Sequence, residues 1–285
     1  MAQQPTGPTK SASVIPFRPG TRQALPTAVL PLPQSAGSIA LADPPMPMGI
    51  DLSGKRKAWF FIGRGRIGKT TLARWVVETM DQRGGSAIIA AADPVNRSLR
   101  VFVDNVAEPP STNPDDVKDW LRDLLQTATE QRLNAMIDLG GGSTSLSALL
   151  AEMPDLATVM SAGGVEPVAV HVVGTAPHDL VPLAITEAEG FQPAATAIVL
   201  NETHGRRANF APIINHPTYQ AAIARGAIQL WMPRLTPDAA ATCDANEWHY
   251  HDAVSKAGPF TASSIKTWLD TMAREMQPIA SWFPE

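Results

Sequence analysis

The chain has 285 residues, with 23 Lys+Arg against 27 Asp+Glu, a formal net charge of −4, 44% hydrophobic residues and 1 cysteine. That length is enough to bury a sizeable core without crosslinks. The lone Cys243 excludes an internal disulfide framework and any all-cysteine metal site within one chain, and a mildly acidic whole exerts no global pull on nucleic acid or anionic lipid.

The prolines are unevenly spread: ten of the 26 fall in residues 1–50. Each proline fixes its own φ, removes an amide donor and biases the preceding residue away from helix. The stretch has no hydrophobic period, and Lys10, Arg18, Arg22 and Asp43 are its only charges. Residues 1–52 are therefore expected to form a disordered arm. It reads either as a tether or partner-binding segment, or as a solvated tail. No apolar core follows a basic start, so a secretory leader is not expected. No long apolar window exists to span a membrane. A cytoplasmic location is the expectation.

Residues 53–285 are expected to form one domain. Lys57–Ile62 is an apolar run ending in glycines and reads as a buried strand. A helix is predicted over Thr70–Met80, with Leu72, Ala73, Val76, Val77 and Met80 on one face. Ser86–Ala92 reads as a second strand, Asp115–Gln131 as a helix and Ala135–Ile137 as a short strand ending at Asp138. Further strands are predicted at Pro167–Val173, Ala195–Leu200 and Ala227–Trp231, with helices at Pro177–Glu189, Tyr219–Arg225 and Ser263–Met276. The alternation implies an α/β fold: a mostly parallel sheet with helices on both faces, in three layers. Right-handed crossovers then place the strand-end loops along one edge, where ligands sit.

One loop carries a specific signal. Gly63-Arg64-Gly65-Arg66-Ile67-Gly68-Lys69-Thr70 fits G-x-x-x-x-G-K-[ST], between a strand and an amphipathic helix that continues at Thr71. Its glycines let backbone N–H groups point inward at phosphate oxygens. The helix N-terminus adds its positive dipole end. Lys69 is expected to reach the β- and γ-phosphates, and the Thr70 hydroxyl to ligate Mg²⁺. Asp93 and Asp138 each end a strand and face the same loop edge, where a carboxylate supplies a metal ligand or orients water. The glycines 140–142 read either as a loop that approaches the γ-phosphate or as a plain flexible turn.

These residues resemble the ParA/MinD family of P-loop ATPases, over roughly residues 55–275. The family's Walker A motif reads K-G-G-x-G-K-[ST], and its signature lysine falls on Arg64 here, with Arg66 in place of the second glycine. The resemblance implies that Arg64 offsets developing charge and that Asp93, in Asp93-Pro94, positions the attacking water. It implies that Thr70 and Asp138 hold Mg²⁺, and that Asn201 and Pro233 contact adenine. It further implies an ATP-dependent sandwich homodimer, slow turnover stimulated by a protein partner, and cargo positioning as in plasmid partition or conjugative transfer. Two other readings stand beside this one: a nucleotide-dependent adaptor with negligible hydrolysis, and an ATP-dependent biosynthetic ligase on the same fold. Signal-recognition GTPases carry T-K-x-D for guanine; Asn201-Glu-Thr-His204 offers no such aspartate, so adenine is expected.

Non-specific DNA contact is a possible further property of ParA-type relatives. Candidate cations are Lys55, Arg56, Lys57, Arg206, Arg207 and Arg225, which read equally as a solvated face. Cys243, His249 and His251 match no zinc spacing and read as a polar surface loop between the last strand and the last helix. His171 lies inside an apolar strand and reads as a core histidine.

Overall fold

The computed structural model describes residues 47–93, 99–141 and 144–285. Residues 1–46 of the arm expected over residues 1–52, together with Pro94 and Gly142, lie outside the described residues. In chain order the elements are β1 (Arg56–Ile62), α1 (Lys69–Gln82), β2 (Ile88–Ala91), α2 (Pro114–Glu130), β3 (Ala135–Asp138), α3 (Thr144–Glu152) and α4 (Leu156–Ala162). There follow β4 (Val165–Val173), α5 (Val181–Ala188), β5 (Ala195–Asn201), α6 (Ala211–Ile214), α7 (Pro217–Ala224), β6 (Ile228–Met232), α8 (Pro237–Ala245), α9 (Tyr250–Lys256) and α10 (Pro259–Glu275).

The strands form one parallel sheet in the order β2-β3-β1-β4-β5-β6. Successive side chains along a strand point to opposite faces. Trp59 and Phe61 of β1 therefore pack with α1, α8, α9, α10 and the C-terminal segment. Ala58, Phe60 and Ile62 face α2, α3 and α4 on the other side. At the β5 end of that second face, Ile198 and Leu200 meet α5, α6 and α7. Both faces are covered, which is why the strands read as near-continuous apolar runs. Each large apolar side chain buried this way contributes roughly 1.5–3 kcal/mol. This is a three-layer α/β architecture, with one parallel sheet between two layers of helices. Among the described residues, no helix is long and apolar enough to cross a membrane.

Three expectations change. First, ordered packing starts before Ser53. Gly49 N donates to Pro278 O at 2.9 Å, Trp282 Nε1 donates to Ile50 O at 2.8 Å, and Leu52 is buried in the core. Residues 49–52 thus pack onto the domain, with Leu52 alone of them buried, because the C-terminal 3₁₀ segment Gln277–Trp282 supplies partners no local pattern reveals. Second, the stretch 237–256 is not a polar loop: α8 and α9 occupy it, with Cys243, Tyr250 and Ala253 turned into the core. Third, the helix expected from Pro177 splits into a 3₁₀ turn, Pro177–Leu180, and then α5.

Candidate functional site: a phosphate cleft and an adjoining apolar cleft

β1 ends at Ile62, and the loop 63–68 curls back before α1 begins at Lys69. The turn into the helix needs Gly68, whose φ is 102° and whose missing side chain leaves room for the Asn201 carboxamide and the Met232 methyl. Asp138 is brought alongside by strand pairing, since β3 lies next to β1 with Phe61 opposite Asp138. Asp93 follows β2, whose Ala91 pairs with Asp138 on the other side.

These elements enclose a cleft of 420 Å³ lined by Gly65, Arg66, Gly68, Lys69, Thr70, Thr71, Asp93, Asp138, Leu139 and Gly141. The Thr70 hydroxyl donates to Asp138 Oδ2 at 2.7 Å. Asp138 Oδ1 is buried with no hydrogen-bond partner among the described residues. Burial pushes the Asp138 carboxyl up to about 6, against the opposing pull of the Thr70 hydrogen bond and the Lys69 charge. The Lys69 ammonium donates to the Gly63 and Arg64 carbonyls, each at 3.0 Å. Burial lowers its pKa, while Asp138 and Asp93 act in the other direction. Gly141 lies close against the phosphate loop: a Cβ there would stand 2.6 Å from Gly65 N. Hard oxygen donors beside an orphaned buried carboxylate oxygen suit a small divalent cation such as Mg²⁺.

A second cleft of 570 Å³ shares Thr70 and Thr71 with the first. Phe102, Met232, Pro233, Leu235, Tyr250 and Trp268 give it an apolar lining. Its wall includes Arg74, buried on α1. The guanidinium carbon lies 3.5 Å from the Phe102 ring centre and 3.9 Å from that of Tyr250. Arg74 also donates to Glu78 at 3.3 Å, to Asp244 at 3.2 Å and to the Trp248 carbonyl. His249 and His251 stand at 3.4 and 3.2 Å from the two oxygens of the same Glu78.

The structure thus brings Gly65, Arg66, Gly68, Lys69, Thr70, Thr71, Asp93 and Asp138 to one cleft and Pro233 to the adjoining one. Gly63 and Ile67 are buried beneath the loop. Asn201 lines neither cleft. It is buried, its Nδ2 donates to Ile67 O at 2.7 Å, and its Oδ1 accepts from Thr203 N at 2.9 Å. It braces the phosphate loop from β5. Arg64 also lies outside the phosphate cleft lining and pairs instead with Asp179 at 3.0 Å.

Sequence reasoning missed Arg74, Glu78, Phe102, Tyr250 and Trp268. A signal existed for the first two: a cation and an anion spaced i,i+4 on a helix whose neighbours are apolar.

Most of the candidate DNA-binding cations are engaged within the protein. Lys55 pairs with Glu166, Arg56 donates to the Glu285 carbonyl, and Lys57 is fully buried and donates to Phe283 O at 3.2 Å. Arg207 pairs with Glu202 and Glu275, and Arg225 with Glu187. Among the described residues, the Arg206 side chain alone of the six is without an anionic or carbonyl partner.

No family model matches the chain, and no curated protein matches it in sequence. Among solved structures, the signal recognition particle receptor FtsY from Elizabethkingia anophelis in complex with GDP is similar at 18% identity and a TM-score of 0.43, over 64% of this chain and 58% of that one. The cell division protein ftsY from Thermotoga maritima is similar at 17% identity and a TM-score of 0.45, over 67% and 63%. FtsY from Mycoplasma mycoides is similar at 17% identity and a TM-score of 0.43, over 65% and 62%. The chain spans about three fifths of the length of these proteins. All three are FtsY proteins, and none is a member of the ParA/MinD family expected from the motifs.

Proposed function

We propose that this chain binds Mg-ATP and hydrolyses it slowly, as a ParA/MinD-like switch. In this reading the nucleotide-bound form dimerises, a protein partner stimulates turnover, and the cycle positions cargo, as in plasmid partition or conjugative transfer. The observation that carries the nucleotide reading is the convergence of Thr70, Asp138 and Lys69 in one cleft at the N-terminus of α1. Thr70 and Asp138 would hold Mg²⁺, which when bound offsets phosphate charge. Lys69 and the loop amides would bind the phosphates. Asp93, in the lining of the same cleft, would orient the attacking water. The apolar cleft beside Thr71 would take the base by stacking and shape. Adenine is proposed because the loop after β5 supplies no T-K-x-D aspartate for guanine.

The test is calorimetric titration of Mg-ATP and Mg-GTP into the wild type and Lys69→Ala. Wild type should bind ATP more tightly than GTP, and K69A should bind neither. Undiminished affinity in K69A removes the site assignment; preferred GTP binding removes the adenine assignment. Phosphate release with and without DNA or a candidate partner then separates a switch that turns over from a non-hydrolysing adaptor.

A further inference from the structure

The phosphate loop holds two arginines, and the structure sends them in opposite directions. Arg64 is turned away from the cleft, to the turn that follows β4. Its Nη1 meets Asp179 Oδ1 at 3.0 Å. Asp179 is nearly buried and also accepts from Ala176 N at 3.2 Å, with His178 Nε2 3.7 Å away. A buried carboxylate this close to the loop would repel a phosphate. Arg64 neutralises it, and the Arg64 carbonyl meanwhile receives the Lys69 ammonium.

Arg66 is placed the other way. It is exposed, it lines the phosphate cleft with Lys69, Asp93 and Asp138, and among the described residues no carboxylate pairs with it. Its φ is 60°, in the left-handed region where a Cβ crowds the neighbouring carbonyl. A glycine would adopt that turn without strain. Strain of this kind persists where the surroundings over-determine it, and it collects at ligand clamps.

We infer that Arg66, and not Arg64, is the loop arginine that contacts the triphosphate. This rests on the nucleotide reading proposed above. Arg66 stands in the cleft lining with Lys69, and a guanidinium is a planar fork of donors suited to phosphate oxygens. Arg64 is a positioning residue that keeps the loop's outer flank neutral through Asp179.

The experiment uses the full chain and two readouts: Mg-ATP affinity by calorimetry, and the melting temperature without nucleotide. Arg66→Gly should raise the melting temperature by relieving strain, yet weaken Mg-ATP binding by about 10- to 100-fold, as expected for a lost charge-assisted contact. Arg66→Asn, which also tolerates the left-handed backbone, should behave alike, and Arg66→Lys should recover part of the affinity. Arg64→Ala should weaken binding less than R66G does. If R66G and R66N bind like the wild type while K69A has lost binding, the inference is overturned alone. A larger loss in R64A than in R66G overturns it as well. If K69A binds like the wild type, the nucleotide reading fails and takes the inference with it.

Discussion

The Thr70 hydroxyl donates to Asp138 Oδ2 across 2.7 Å, tying the first turn of α1 to the end of β3. Asp138→Asn retains an oxygen for that hydrogen bond and removes the charge. The Mg²⁺-dependent part of nucleotide binding should fall by at least about tenfold, measured by titration with magnesium and with chelator. Burial disfavours the ionised carboxylate here, so D138N should also unfold at higher denaturant concentration at pH 7. Magnesium dependence that survives the substitution would refute the metal assignment.

Gly141 approaches the phosphate loop too closely for any side chain, with Gly65 N and Cα at 2.6 and 2.7 Å from a Cβ built there. Gly141→Ala must displace backbone rather than a flexible side chain. Nucleotide affinity should drop about ten- to a hundredfold, while far-UV circular dichroism stays that of the wild type. An alanine variant with normal affinity would mean that this approach is not kept when nucleotide binds.

Arg74 and Glu78 form a buried pair on α1, with side chains 2% and 3% exposed. Breaking one partner leaves an uncompensated charge. Arg74→Met should cost about 3–5 kcal/mol of stability in denaturant titrations. Replacing both residues by Met should cost clearly less than R74M alone. Equal losses in the single and double variants would place the stabilisation in the Phe102–Arg74–Tyr250 stack rather than in the ion pair.

His171 is enclosed in β4, its Nδ1 has no partner among the described residues, and burial holds its pKa down to about 3. The unfolded imidazole takes a proton near its ordinary value of about 6.5. Between these two values the unfolded chain binds the extra proton, so stability falls as pH falls through the window. The slope approaches about 1.4 kcal/mol per pH unit in its middle. His171→Leu should flatten the pH dependence of unfolding between pH 6.5 and 4. An unchanged slope would assign the acid sensitivity elsewhere.

The six strands and the phosphate loop are legible in the sequence for one physical reason. Parallel strands covered on both faces need unbroken apolar runs, and Lys57–Ile62 or Ala195–Leu200 can be little else. The same reasoning fails at Lys57 itself. It reads as a surface cation, yet its ammonium meets the Phe283 carbonyl from 226 residues away, and no local pattern encodes such a partner. The short helices α3 and α4 carry too few turns to print a clear period. In α8 and α9, polar residues conceal a buried stripe because Arg74 is sandwiched beside Tyr250 and gives Glu78 and Asp244 a cation to face. At the site, residue types were legible and directions were not: Asn201 and Arg64 have suitable chemistry, but tertiary packing turns both toward the protein's own groups.

Each of the three guanidinium nitrogens of Arg74 already donates within the protein. The larger cleft is therefore bounded on that side by a buried guanidinium that is held against the Phe102 and Tyr250 rings. A planar ring entering there meets a slot measured in thickness and outline rather than a reader of individual atoms. Under the nucleotide reading proposed above, discrimination between purines would depend on the polar residues of the lining, Asp244 and Arg234 among them. Exchanging Asp244 or Arg234 would then alter base choice while leaving Lys69, Thr70 and Asp138 in place.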